Sequence, residues 1–165
     1  MKPAWPAVAG VAVVALGTAG LIRGAVSLSA AAPASTGSAA IVVSGAYVRP
    51  PVPPATNAAA YFTIFNTTSV PDTLISVASG AGAQAVLHTV VDGKMTAISG
   101  GFEIPANGSL KLSVSKGHVM ISKLFGKLTN GQYVNLQLVF ANAGPIEVVA
   151  PVVTFGSPLP PGASK

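Results

Sequence analysis

From residue 41 onward, Gly, Pro, Asn and Asp interrupt the chain about every ten residues, and no segment between them carries the period of an amphipathic helix. Turn signals stand at Pro50-Pro51, Pro53-Pro54, Val70-Pro71-Asp72, Asp92-Gly93, Asn107-Gly108 and Asn130-Gly131. Between them apolar residues recur at every second position, the period of a strand with one dry and one wet face. In 133–140, Val134, Leu136, Leu138 and Phe140 alternate with Tyr133, Asn135 and Gln137, and Leu110, Leu112 and Val114 alternate with Lys111 and Ser113. Further strands are expected at 41–48, 58–66, 73–78, 84–91, 94–98, 118–122 and 146–153. About nine strands in this length fit an all-β fold of two stacked antiparallel sheets with Greek-key connections. Periodicity leaves immunoglobulin-like and cupredoxin-like layouts open. Asp92-Gly93 is the sharpest hairpin signal, because both residues tolerate the positive φ angles of a tight turn.

Composition narrows the chemistry. With 50% hydrophobic and 8% charged residues, the 165-residue chain is too apolar for charge-driven disorder and long enough for one domain plus an appendage. The net charge of +5 is scattered, with no basic run and no aromatic-basic interleaving, which speaks against nucleic acid. Cysteine is absent, so disulfides, thiolate nucleophiles, Cys-based zinc sites, iron–sulfur clusters and the Cys ligand of blue copper are all excluded. Acid–base work would have to come from Asp72, Asp92, Glu103, Glu147, His88 and His118. Asp72 and Asp92 stand in turn contexts and no G-x-S-x-G elbow occurs, so an enzyme is not expected and a small hydrolase is the least favoured reading.

Residues 3–22 follow Lys2, carry no charge and are rich in Ala and Val. They read as an export signal or a single membrane anchor, and the chain is expected outside the cytoplasm, in the periplasm or at the cell surface. Ala30 and Ala32 make a small-x-small cleavage pattern, so cleavage and retention both fit; if uncleaved, the segment ties the protein to the membrane. No cysteine is present to carry a lipid. Residues 31–40 have the composition of a tether, giving an organisation of signal or anchor plus tether over 1–40, a β-sandwich over 41–154 and a Pro/Gly-rich tail over 155–165.

His88, Met95, His118 and Met120 are every histidine and every methionine beyond Met1, and all lie within 33 residues. In a strand, His118 and Met120 point to one side, and a hairpin at Asp92-Gly93 brings Met95 back toward His88. Imidazole nitrogen with thioether sulfur is a soft donor set that selects Cu(I), and a thioether has neither a proton to lose nor a disulfide to form. Tyr61, Phe62 and Phe65 read as alternating sheet residues, any one of which could shield such a site. The rival reading is a metal-free secreted adhesion or scaffold sandwich.

The segments AYVRPPVPPATNAAAYFTIFNTTSVPDTLISVAS, LHTVVDGKMTAI and GFEIPANGSLKLSVSKGHVMI resemble the periplasmic copper chaperone family PCu(A)C over about 41–153. The resemblance implies a cupredoxin-like sandwich that binds Cu(I) through His88, Met95, His118 and Met120. It also implies delivery of copper to an accepting protein, the CuA site on subunit II of cytochrome c oxidase. Six residues separate His88 from Met95, fewer than in the family motif, and twenty-two separate Met95 from His118, one more than in the motif. A one-place slip turns a strand side chain to the opposite face. Either Ser99-Gly100-Gly101 absorbs the extra residue as a bulge or loop, or the site has three protein ligands. Coordination is expected to be shallow and near the end of the sandwich, with capture weakening below about pH 6.5 as imidazole protonates.

Overall fold

The computed structural model describes residues 40–163, and among these the secondary structure is entirely β. The strands are β1 (Ile41–Arg49), β2 (Ala58–Asn66), β3 (Asp72–Ser79), β4 (Gly82–Val91), β5 (Lys94–Ala97), β6 (Phe102–Ile104), β7 (Ser109–Lys111), β8 (Gly117–Leu124), β9 (Tyr133–Phe140) and β10 (Gly144–Pro151). One sheet has the order β1-β2-β8-β4-β5, with β7 also pairing β2, and the other has β10-β9-β3-β6. Every strand pairing is antiparallel. The chain crosses from one sheet to the other repeatedly, and β8 returns late to lie between β2 and β4. The all-β antiparallel sandwich expected from the turn spacing is the observed architecture. The segment read as signal or anchor plus tether, 1–40, lies outside the described residues apart from Ala40.

The alternation explains which faces meet. Val119 and Ile121 of β8, Leu87 of β4, Ala60, Phe62 and Ile64 of β2, and Leu136, Leu138 and Phe140 of β9 are buried in one continuous core. Each follows the period-two rule on its strand, so the intervening residues point outward. Two local differences from the periodic reading have physical causes. The strand expected to run through Val114 ends at Lys111, because Ser113–Gly117 closes a turn through Lys116 N–H and Gly117 N–H to Ser113 C=O, and Val114 is left exposed. The short β6 has only three residues and hence no period to read; it earns its place by pairing with β3 through Asp72↔Ile104, Thr73↔Glu103 and Leu74↔Phe102.

Asp72 is buried and its carboxylate accepts backbone N–H bonds from Thr73 at 2.7 Å, Asn142 at 2.9 Å and Ala143 at 3.0 Å. It pins the β9–β10 turn to the start of β3, a structural role that fully occupies it. Beyond β10, Val152 bridges Val48 in parallel, and the Arg49 guanidinium donates to the carbonyls of Val153 and Thr154. The same guanidinium lies 4.8 Å from the Phe155 ring and 5.4 Å from that of Tyr47. Leu159 and Ala163 then pack against a second small cluster of Tyr47, Tyr61 and Val153. The Pro/Gly-rich segment after 154 therefore covers part of the sheet's outer face.

Ile121 is fully buried whereas Val149 is exposed. Ile121→Ala is expected to lower stability by about 2–5 kcal/mol and Val149→Ala by less than about 0.5 kcal/mol, as measured by urea denaturation.

Candidate metal centre

The turn at Asp92-Gly93 sets the local register. Both residues have positive φ, 50° and 73°, and they connect Val91 directly to its partner Lys94. This is the two-residue hairpin geometry that Asp-Gly favours. Pairing then follows as Val90↔Met95, Thr89↔Thr96 and His88↔Ala97. Met95 shares its face with Val90 and therefore with His88, two positions along the strand and diagonal to it. Ser99-Gly100-Gly101 lies in the loop between β5 and β6, with Gly101 at φ 78°.

On the other side of β4, the register with β8 places His88 directly opposite His118 and Val86 opposite Met120. The imidazoles stack with centroids 5.7 Å apart and planes 12° from parallel. Gly117 makes this approach feasible: a Cβ there would come within 2.9 Å of both the His88 carbonyl oxygen and Cζ of Phe102. Because Leu87 and Val119 face the core, the two histidines, Met120 and Met95 all lie on the outer face of the sheet. The expectation of a site near the sandwich end is thus refined: the imidazoles occupy a sheet face, close to where β4 enters its hairpin. They are nonetheless shielded, with 8% of His88 and 5% of His118 exposed, whereas Met120 is half-buried and Met95 is 65% exposed.

Tyr61, one of the three aromatics of β2, supplies the shield. Its ring lies 6.0 Å from that of His118 and 5.2 Å from that of Tyr47. Phe62 instead faces the core and Phe65 is exposed. Burial, and then the neighbouring Tyr47, push the Tyr61 phenol above its ordinary value, with Arg49 pulling it partly back. At neutral pH the phenol stays protonated and offers no anionic oxygen. The sequence named Tyr61 only together with Phe62 and Phe65 as aromatics that could shield a site, and its partner could not be named before β8 was known to lie beside β2.

The hydrogen bonding leaves donor atoms free. His88 Nδ1 lies 3.2 Å from the Val86 carbonyl oxygen; a carbonyl only accepts, so Nδ1–H is the donor, and Nε2 is the nitrogen left to coordinate when the imidazole binds a metal. His118 Nδ1 is buried and has no hydrogen-bond partner, a costly state that a ligand from outside the fold would relieve. Burial first, and the facing His88 second, lower the His118 pKa from 6.5, which keeps this imidazole neutral and ready to coordinate below the ordinary histidine range. The Met120 sulfur accepts an N–H from Asn57 Nδ2 at 3.5 Å. Asn57 carried no metal-ligating signal in the sequence.

Among the described residues no three His, Cys, Asp or Glu side chains gather. The thioethers of Met120 and Met95 share the face of the two imidazoles, and a set of imidazole and thioether donors favours a soft ion. The four carboxylates have other places: Asp72 as above, Asp92 in the hairpin turn, Glu103 exposed on β6, and Glu147 accepting from Gln137 at 2.7 Å.

Residues 41–152 match the family model LpqE-like, described as a lipoprotein family. The chain belongs to the LpqE-like family. No curated protein matches it. Among solved structures, this LpqE-like domain is similar to the copper-bound PCuAC domain from PmoF2, with 23% identity and TM-score 0.59 over 70% of this chain and 93% of that one. The apo PCuAC domain from PmoF1 gives 22% identity and TM-score 0.61 over 70% and 94%. The solution structure of CuI-DR1885 from Deinococcus radiodurans gives 28% identity and TM-score 0.60 over 70% and 79%. The LpqE-like domain therefore has a PCuAC-like fold.

The lowered His118 pKa makes a signed prediction for the metal-free protein. Below about pH 6.5 the unfolded chain takes up a proton that the folded one refuses, so stability is full above that pH and is lost progressively as pH falls toward the lower folded value. Thermal melts between about pH 7.5 and 5 are expected to show this decline, and His118→Phe to flatten it.

Proposed function

We propose that this LpqE-like domain is an extracytoplasmic copper chaperone that holds one Cu(I) through His88, His118, Met120 and Met95 and transfers it to a copper-accepting partner. The observation that carries the reading is the direct cross-strand opposition of His88 and His118 with the Met120 thioether on the same face. Two similar solved structures, the copper-bound PmoF2 domain and CuI-DR1885, support it. The uncharged stretch 3–22 supports a place beyond the cytoplasmic membrane. For the acceptor we propose the CuA site on subunit II of cytochrome c oxidase, on the resemblance to PCu(A)C proteins.

The residues divide the work of holding and releasing a monovalent ion. His88 presents Nε2 because Val86 engages Nδ1, and His118 is kept neutral by burial. Both thioethers are uncharged, so no carboxylate charge holds the ion back at release. Met95 stands on an edge strand whose four residues are all exposed, which is the side where a partner's donor atoms can enter. This is binding and exchange, with no bond of a substrate made or broken.

A competition titration of the full chain against a chromophoric Cu(I) chelator is expected to find one Cu(I) per chain. His118→Ala combined with Met120→Ala should weaken binding by more than about a hundredfold, since ligand loss exceeds the effect of outer contacts. Unchanged binding by the double variant would eliminate the proposed centre. Mixing the loaded chain with a soluble, copper-free CuA domain is expected to move copper to that domain, and retention by the chaperone would remove CuA as the acceptor.

A further inference from the structure

Two side chains from one stretch of backbone touch the proposed donor residues without belonging to the donor set. Ala59 pairs with Met120, and Ala60 with Val119. Residues 57, 59 and 61 alternate onto the outer face, so Tyr61 meets the His118 ring and Asn57 meets the Met120 sulfur. Asn57 is the residue immediately before β2 and ends a segment containing Pro50, Pro51, Pro53 and Pro54. Prolines restrict the backbone they occupy, so Asn57 is presented by a segment with few conformations.

A methionine side chain turns about three bonds and by itself holds its sulfur loosely. A thioether sulfur has two lone pairs and is a weak acceptor. An N–H directed at one of them restrains the terminal rotor and leaves the other for a soft ion. It also withdraws electron density from the sulfur. Hydrogen bonds to ligand sulfurs are an established means of setting metal potentials, and contacts that orient ligands commonly change affinity by ten- to a hundredfold. Electron withdrawal disfavours Cu(II), the more electron-poor state, more than Cu(I).

Resting on the copper reading above, we infer that Asn57 is a positioning residue: its carboxamide N–H aims the Met120 thioether and biases the centre toward Cu(I) over Cu(II). The test compares the full-length wild type with Asn57→Leu, which keeps the approximate size and removes the donor. Each protein is titrated with Cu(I) and with Cu(II), and its copper reduction potential is measured, with a thermal melt confirming the fold. Asn57→Leu is expected to lose about tenfold in Cu(I) affinity relative to Cu(II), which lowers the one-electron potential by about 59 mV. An unchanged potential overturns the assignment, whether both affinities stay the same or both fall equally, since a merely structural role would weaken the two alike. A wild type that binds no Cu(I) overturns the copper reading and this inference together; a wild type that binds, beside an Asn57→Leu with the same potential, overturns this inference alone.

Discussion

Hydrogen bonding between β4 and β8, running from Gly82↔Leu124 to Thr89↔Gly117, ties together two strands that are distant in sequence. In that register Leu87 and Val119 oppose each other in the core, and His88 and His118 oppose each other one residue later on the outer face. The two pairings are one constraint. A slip by a single residue would reverse one strand against the other, sending one imidazole into the apolar layer and its core neighbour, Leu87 or Val119, out to water. The burial energy that fixes the core thus also fixes the imidazole pair, and Gly117 allows the strands to close at that point.

The outer face then has to do something unusual for a sheet surface, which is to keep imidazoles dry. It does so with material from three places. Tyr61 from β2 covers His118, Tyr47 from β1 backs Tyr61, and the segment after β10 packs over Tyr47 through Val153, Leu159 and Ala163. Arg49 joins this cover to the sheet by its bonds to Val153 and Thr154 and its contact with Phe155. The low polarity that results lowers the His118 pKa, so shielding and proton affinity have a common origin. At the β5 end the cover stops and the thioether of Met95 stands in solvent.

Sequence patterning reached a good part of this. β2 and β9 were marked at their observed limits: β9 sets apolar residues on one face against polar ones on the other, whereas β2 is an apolar run that carries the aromatics Tyr61 and Phe65 on its outer face as well. Asp92-Gly93 revealed its hairpin because its turn chemistry is local. What escaped depends on contacts between distant segments. The three residues of β6 become a strand only by joining β3, and Val114 kept the rhythm of a strand although Ser113–Gly117 turns away. Of the candidate centre, the shared face of His118 and Met120 was readable from their spacing. The opposition of His88 to His118 was not, since it requires β8 to insert between β2 and β4. Asn57 was hidden for the same reason, and Tyr61 was marked only as one of three aromatics that could shield a site, without its partner.

The two-residue turn between β4 and β5 has a further meaning for how such a hairpin can vary. Each strand residue faces the opposite way from its neighbour, and Met95 reaches the His88 side because the interval between them holds six residues, an even number. With this turn kept, insertions or deletions that preserve the thioether's face must come in pairs, one residue on each arm or two on one. Descendants of this sequence can therefore lengthen the hairpin and slide the sulfur outward in steps of two, whereas a single inserted codon would aim it at the other side of the sheet.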